Sequence, residues 1–280
     1  MSIRFPIVVV FALLFSGLAL GQAFTPAPFI PAIAGVPGDN PIVLPAPEIK
    51  APVALPRMAP ELALQVYHGR SVIQAQQLAG YSDVTVIHAE LPDSAQKGEF
   101  ELQRRYSAPR NLQFTAVRYT GDGFVKSNVI TRLLQSEVDH VKQDDGALTA
   151  VTSKNYKFSY KGTNTVNARM VHVYQVKPRS KRPGLFKGHI YIDAYTGSLV
   201  RAEGGVVKSP SFFVKKIEFV QDYADVGNFT FPAHIHSEAL ARVIGRTIVD
   251  IYQRDYQPVV GDVLAIQASQ QAASHTLLSQ

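Results

Sequence analysis

The alternation of apolar and polar residues predicts a protein built mainly from β-strands. Ten segments alternate with the period of two that is typical of a strand with one buried face. The predicted strands cover residues 84–88, 99–106, 112–119, 156–161, 170–177, 187–193, 198–208, 213–223, 229–239 and 246–256. Turn residues such as Thr196-Gly197 and Gly227-Asn228 separate several of them. Short links of this kind predict sequential antiparallel hairpins.

A change of period between residues 127 and 142 predicts a helix. Its apolar positions follow steps of three and four residues, at Ile130, Leu133, Leu134, Val138 and Val141. Ser127 can cap its start, and Gly146 lies just beyond its end. A weaker pattern after Glu61 predicts one or two further helical turns. An amphipathic helix must cover another apolar surface, so the fold class is mainly β (α+β), with one or more helices over a large curved antiparallel sheet. Such a sheet either closes as a barrel or stays open with helices over its mouth.

The first 23 residues have the pattern of a secretory signal peptide. Arg4 supplies a basic start, residues 5–21 are almost wholly apolar, and Gly21-Gln22-Ala23 forms a small-residue cleavage pattern. We predict cleavage between Ala23 and Phe24, and therefore export. The alternative is an uncleaved membrane anchor, since an apolar run of about 17 residues is near the lower limit for spanning a bilayer.

The rest of the chain divides by composition. Residues 24–60 contain ten prolines, which deny the backbone both helical and sheet hydrogen bonds. This composition predicts an extended, disordered linker. This linker is either a spacer or ligand for another protein, or a poorly ordered leader. We predict one folded domain over residues 61–258 and a flexible tail over 259–280.

Composition excludes several classes of protein. The chain has no cysteine, which excludes disulfides, thiolate metal sites, cysteine nucleophiles and lipid attachment to an amino-terminal cysteine. Its net charge of +6 and pI of about 9.4 favour anionic surfaces or acidic partners, but the excess is too small to indicate nucleic acid. Nucleophile-elbow and zinc-protease motifs are missing from the sequence, so we predict neither catalytic residues nor a cofactor.

A basic loop between two predicted strands is the candidate contact site with a membrane or a partner. It comprises Lys177, Arg179, Lys181, Arg182, Leu185, Phe186 and Lys187. Apolar residues ringed by cations suit a loop that enters an anionic bilayer or grips a protein. Alternatively, Leu185 and Phe186 begin the next strand and the cations form a solvated turn.

Two histidines two residues apart are the only candidate metal ligands that the pattern offers. His234 and His236 emerge on the same face of a predicted strand. Because two imidazoles without a third ligand are insufficient for a metal site, we predict no metal and place both on the solvent face. His172 and His189 have the same alternating context and are expected there too.

One hairpin sequence resembles a known family. The segment from Gly188 to Glu203 joins two strands through Asp193 and Gly197, and Phe229-Thr230-Phe231-Pro232-Ala233 opens a later strand. With the order of elements, these residues resemble the lipoprotein carriers and receptors LolA and LolB and the amino-terminal domain of MucB and RseB. The chain differs from them in its proline-rich leader, the absence of a lipid-attachment cysteine and the absence of a second domain.

The resemblance implies an open half-barrel of about ten strands whose concave apolar face, covered by helices, holds an apolar ligand. The expected function is that of a non-enzymatic periplasmic carrier of lipid or acylated lipoprotein. Two alternatives stay open, a MucB/RseB-type sensor that binds a protein partner, and a hydrolase or metalloprotein. An anionic membrane surface or an envelope protein is the expected further partner, and nucleic acid is not.

Overall fold

Each of the ten predicted segments forms a strand. The computed structural model describes residues 56–143, 146–208, 214–242 and 244–261. The strands are β1 Leu78–Leu91, β2 Gln96–Ser107, β3 Asn111–Gly121, β4 Tyr156–Val166, β5 Arg169–Pro178, β6 Phe186–Asp193, β7 Leu199–Val206, β8 Val214–Val226, β9 Phe229–Ala241 and β10 Gly245–Val260. The helices are α1 Pro60–Gln77, α2 Gly123–Val125, α3 Thr131–Gln143 and α4 Gly146–Thr149. The predicted signal peptide, its cleavage site at Ala23 and Phe24, most of the linker and most of the tail lie outside the described residues.

The strands form one open antiparallel sheet. Its order is β3-β2-β1-β10-β9-β8-β7-β6-β5-β4, so every pair of neighbouring strands is consecutive in the chain except β1 and β10. This pairing places the first and last strands inside the sheet and leaves β3 and β4 as the two edges. The sheet does not close, which confirms the predicted mainly β fold with an open half-barrel.

The two faces of the sheet have different partners. Along β1 every second side chain is buried, and Ile87 of this set lies opposite Phe100 of β2 and Ile251 of β10. We call the face that carries these residues the concave face, because the helices cover it. The opposite, convex face carries the polar residues of the same strands, as the period of two requires.

The central helix differs in detail from its prediction. It starts at Gly123, and a turn of π-helix, Lys126–Ile130, joins α2 to α3. Ser127 therefore lies inside the helical segment, and Asp122 occupies the N-cap position. The Asp122 carboxylate accepts a hydrogen bond from the Lys97 amide at 2.9 Å, which fixes the helix entry to the start of β2. In a π turn the backbone hydrogen bonds join residues five apart, so the residues after it are shifted around the helix axis. A search for regular three- and four-residue steps does not detect this shift.

The first helix is longer than predicted. It runs without interruption through Gly69, and Pro60 stands in its first turn, where a proline costs no backbone hydrogen bond. No helix within the described ranges is both long enough and apolar enough to cross a bilayer.

Candidate binding site on the concave face

The concave face carries the main apolar cluster of the protein. Strands from one edge of the sheet to the other contribute to it, because the alternating pattern places an apolar residue there on nearly every strand. Its fully buried members include Ile87, Leu102, Tyr156, Val176, Phe186, Ile190, Phe219, Ile235, Val249 and Ile251. Burial of such side chains contributes roughly 1.5–3 kcal/mol each, so this face supplies the main driving force for folding.

The helices complete the apolar cluster from above. Helix α1 contributes Ala63 and Tyr67, and the helical segment from α2 to α3 contributes four side chains that are at most 1% exposed: Val125, Val129, Ile130 and Leu133. A regular α-helix separates adjacent residues by about 100°, yet Val129 and Ile130 are both fully buried. The π turn that contains them therefore widens the surface that the segment places on the sheet.

Helix α1 is fastened to the sheet by hydrogen bonds along its length. The Tyr174 hydroxyl donates to the Pro60 carbonyl, and the Gln74 side chain makes two hydrogen bonds with the Thr230 backbone, at 2.8 and 2.9 Å. Arg70 forms an ion pair with Asp225 at 3.1 Å. These contacts bind α1 to the ends of β5, β8 and β9.

The central helical segment is attached differently. In the part of the chain that the structure describes, no backbone hydrogen bond joins residues 123–143 to a strand. Besides its four buried apolar residues, two polar contacts link it to the sheet: the ion pair between Glu137 and Arg104, and the Lys126 ammonium over the rings of Phe100 and Tyr119. Its entry is tied to β2 by the hydrogen bonds between Asp122 and Lys97. Displacing residues 123–143 about that entry would therefore break none of the hydrogen bonds between strands.

Arg104 is the centre of a buried charged cluster on β2. Its side chain is 1% exposed and pairs with Asp83 of β1 at 2.8 Å and with Glu137 of α3 at 2.9 Å. It also donates to the Tyr256 hydroxyl at 3.0 Å and lies over the ring of Tyr81. Burial raises the pKa of Glu137, although the neighbouring guanidinium opposes this shift. Burial also raises the pKa of Tyr81 well above its ordinary value.

The sequence analysis missed this cluster. A signal was nevertheless present, because Asp83 and Arg104 occupy positions that the alternating pattern assigns to the buried face. A charged residue at such a position is rarely buried unless it is paired. Two such residues of opposite charge on adjacent predicted strands indicate a buried ion pair.

Three buried polar atoms on the concave face have no hydrogen-bond partner among the described residues. They are Nε2 of Gln221, the hydroxyl of Tyr223 and Oγ1 of Thr247. Gln221 is 1% exposed and Tyr223 is 8% exposed, and both belong to β8. Burial raises the pKa of Tyr223 well above its ordinary value, so this phenol stays protonated and remains a donor. A hydrogen-bond acceptor of a bound molecule placed beside these atoms would satisfy them.

The predicted basic loop separates into two parts. Leu185 and Phe186 are fully buried in the apolar cluster, and β6 begins at Phe186. They are therefore the start of a strand, as the second interpretation of this loop proposed, and are not at an exposed tip. Four cations of the loop are exposed, namely Lys177, Arg179, Lys181 and Lys187, and Arg182 is half-buried.

The candidate histidine pair lies on the convex face, next to one carboxylate. His234 Nε2 and His236 Nδ1 lie 3.0 and 2.9 Å from the same oxygen of Asp250. Within the described residues, no group of three or more ligating side chains is arranged to hold a metal ion. His189 is also partly exposed. The expectation for His172 was wrong, because this side chain is fully buried, with Nε2 3.0 Å from the Met58 carbonyl oxygen.

Comparison with known proteins adds the following matches. A family of unknown function, DUF5686, matches residues 148–253. No curated protein matches the chain significantly. A DUF1329 family protein from Desulfovibrio piger has 8% identity and a TM-score of 0.39, over 72% of this chain and 94% of that chain. An outer membrane lipoprotein-sorting protein domain, described as putative, from Vibrio parahaemolyticus has 11% identity and a TM-score of 0.38, over 72% and 94%.

A LolA superfamily protein from Nitrosomonas europaea has 9% identity and a TM-score of 0.34, over 70% of this chain and 92% of that chain. The matches also include MucB, at 12% identity and a TM-score of 0.26. The predicted resemblance to LolA-type proteins and MucB is thereby confirmed as a resemblance. At these identities and scores no residue role passes from those proteins to this chain.

Proposed function

We propose that this protein is a non-enzymatic binding protein of the bacterial periplasm that holds the apolar part of a lipid or acylated lipoprotein against the concave face. The observation that carries the proposal is the attachment of the central helical segment. Four apolar side chains, one ion pair and the Lys126 contacts with two aromatic rings hold residues 123–143 on the sheet. Within the described residues, no backbone hydrogen bond joins residues 123–143 to a strand. The segment therefore has the properties of a movable cover.

Displacement of this cover would expose apolar side chains of the sheet, against which a hydrocarbon chain can pack. The sheet itself keeps its ladder, because consecutive strands are hydrogen-bonded from β3 to β4 without using the cover. The unpartnered groups of Gln221 and Tyr223 supply donors for an ester or amide oxygen of the ligand. An apolar chain with a few acceptor atoms is the kind of ligand that this combination fits.

The direct test is to identify what the full-length protein carries. Native mass spectrometry and solvent extraction of the purified protein should reveal bound lipid, and cis-parinaric acid should bind with enhanced fluorescence. Ser237 of β9 is 2% exposed on the concave face, and it faces Phe219 and Val249 on the adjacent strands. The substitution Ser237→Phe fills the space that a ligand would use, and we expect it to lower affinity for the probe at least tenfold.

A neighbouring residue provides the matched control. His236 precedes Ser237 in β9 and lies on the convex face, so His236→Phe introduces the same side chain outside the proposed site. Thermal melting must show that both variants are folded, because overpacking a core typically costs 1–3 kcal/mol. If Ser237→Phe is folded and binds the probe like the wild type, the proposal fails. It also fails if the wild type carries no lipid and does not bind the probe, whatever the state of the variants.

A further inference from the structure

A group of exposed cations lies at one end of the sheet, where β4 and β6 begin and β5 ends. Lys157 of β4 and Lys177 of β5 are directly opposite each other, and Lys187 at the start of β6 lies on the same face. Lys154, Arg179 and Lys181 extend the group into the adjoining loops. We call these six residues the basic end. Like charges directly opposite each other destabilise a sheet, so this arrangement is unfavourable in the isolated protein.

Many cations elsewhere on the convex face form ion pairs. Arg118 pairs with Glu99 at 3.0 Å, and Arg201 pairs with Asp222 at 2.6 Å. Arg246 pairs with Glu238, Arg254 with Glu101, and Lys216 with Glu218. Among the described residues, by contrast, no carboxylate forms an ion pair with any cation of the basic end. The charges of the six cations are therefore not neutralised by ion pairs with described residues.

The geometry of the basic end is held by hydrogen bonds. Arg179 donates through Nε to the Ser153 carbonyl at 2.8 Å, and its amide donates to the Asn155 carbonyl at 2.8 Å. Arg182 donates to the Leu148 carbonyl at 3.3 Å and to the Asn155 side chain at 3.2 Å. Neighbouring strands are about 4.8 Å apart, so the three strand lysines form a closely spaced row. The positive charge is therefore organised before any partner arrives.

We propose that the basic end docks the protein on a bilayer that contains anionic phospholipid. Six cations spread over three strands and two loops can meet several phosphates of a surface at once, and each Lys or Arg near such a surface contributes to binding. Leu148 is 40% exposed beside them and provides apolar contact at the interface. Because Leu185 and Phe186 are buried, the attraction is electrostatic and does not depend on insertion of a loop. It is therefore sensitive to salt.

Vesicle flotation with the full-length protein tests this proposal. The protein is mixed with vesicles of phosphatidylcholine containing phosphatidylglycerol, or of phosphatidylcholine alone, at low and high salt. The triple variant Lys157→Gln, Lys177→Gln, Lys187→Gln should lower partitioning onto the anionic vesicles by roughly 100-fold, at about fivefold for each lysine. Background binding to neutral vesicles should be equal in all proteins.

The control removes the same charge elsewhere. Lys97, Arg105 and Lys142 are exposed, and none of them takes part in a described ion pair, so changing all three to Gln lowers the net charge equally. We expect this control to bind anionic vesicles within about threefold of the wild type, because distant charges are screened.

If both triple variants lost the same amount of binding to anionic vesicles, net charge and not the basic end would explain the binding, and the proposal would be overturned. Wild-type protein that binds heparin but not anionic vesicles would indicate an acidic soluble partner instead, and would also overturn it. Neither result depends on whether the concave face holds a ligand.

Discussion

The buried cluster around Arg104 allows a quantitative test of how the sheet and its helical cover are coupled. The perturbation is Arg104→Met, which keeps an apolar side chain of similar length and removes the charge. The substitution leaves Asp83 and Glu137 buried without their shared cation. Removing one partner of a buried ion pair typically costs 3–5 kcal/mol, because an uncompensated charge remains. For a chain of this size we expect Tm to fall by roughly 10 °C.

The cost should depend on pH with a defined sign. Burial raises the pKa of Glu137 above its ordinary value of 4.5, and Arg104 is the group that opposes this shift. Without Arg104 the folded-state pKa of Glu137 rises further. The folded variant then holds more protons than the unfolded chain at pH values between 4.5 and the new pKa. Its stability falls as the pH rises through this window, so the cost should be larger at neutral pH than near the lower end of the window.

Urea denaturation followed by circular dichroism measures both effects. The triple variant Arg104→Met, Asp83→Asn, Glu137→Gln should recover part of the lost stability, because it also removes the two buried carboxylates that the single substitution leaves without a cation. Arg118→Met is the surface control: its side chain is 61% exposed and pairs with Glu99, so its loss should cost less than about 1 kcal/mol. The reasoning is refuted if Arg104→Met costs no more than the surface control. It is equally refuted if the triple variant is no more stable than the single one.

Two further substitutions test how the hairpin ends support the fold. Gly197 has φ of +68°, and a Cβ atom there would lie 2.5 Å from Cγ1 of Val66, so Gly197→Ala should cost more than Gly227→Ala, where φ is +60° and the space is open. Denaturation should give a difference of at least about 1 kcal/mol, and equal costs would show that α1 does not press on this turn. Burial raises the pKa of Asp193, but hydrogen bonds from two turn amides and from Arg169 outweigh it, so the net shift is downward. Asp193→Asn should therefore cost about 1–3 kcal/mol at neutral pH, and its cost should vanish as the pH falls through the lowered pKa; a cost that does not change with pH would contradict this.

The alternating pattern predicted the sheet because burial of one face requires an apolar residue at every second position of each strand. The positions of all ten strands follow from it, but their ends do not. Strand β1 extends six residues before the predicted start at residue 84, and this extension includes Ser82 and Asp83. Asp83 is buried because Arg104 pairs with it, whereas the predicted start of β1 rests on apolar residues alone, without the charged residue that continues the alternation. The pairing of β1 with β10 is invisible to a local pattern, since it joins the two ends of the domain.

The site was harder to predict for the same reason. The apolar cluster was implied by the alternation, whereas its polar members depend on contacts between strands that are distant in sequence. The pattern placed His172 on the solvent face, yet it is buried because the segment before α1 crosses it and contacts its ring at Met58. The cations of the loop were recognised from composition alone. Only the structure shows that Lys157 of β4 lies opposite Lys177 of β5. With Lys187 of β6, these two residues form a row of three lysines across adjacent strands.

The energetics of the cover favour one class of ligand. Removing Val125, Val129, Ile130 and Leu133 from the sheet costs roughly 6–12 kcal/mol at 1.5–3 kcal/mol for each side chain. Burial of a hydrocarbon chain contributes about 0.8 kcal/mol per methylene, so about 8 methylenes offset only the lower end of that cost. A chain of about 16 methylenes contributes roughly 13 kcal/mol, which approximately balances it. A near balance allows both loading and release, because neither the closed nor the occupied state dominates strongly. If the concave face holds an acyl chain as proposed, long chains should therefore bind better than short ones, and the proposed docking of the basic end would bring the protein to a surface that contains such chains.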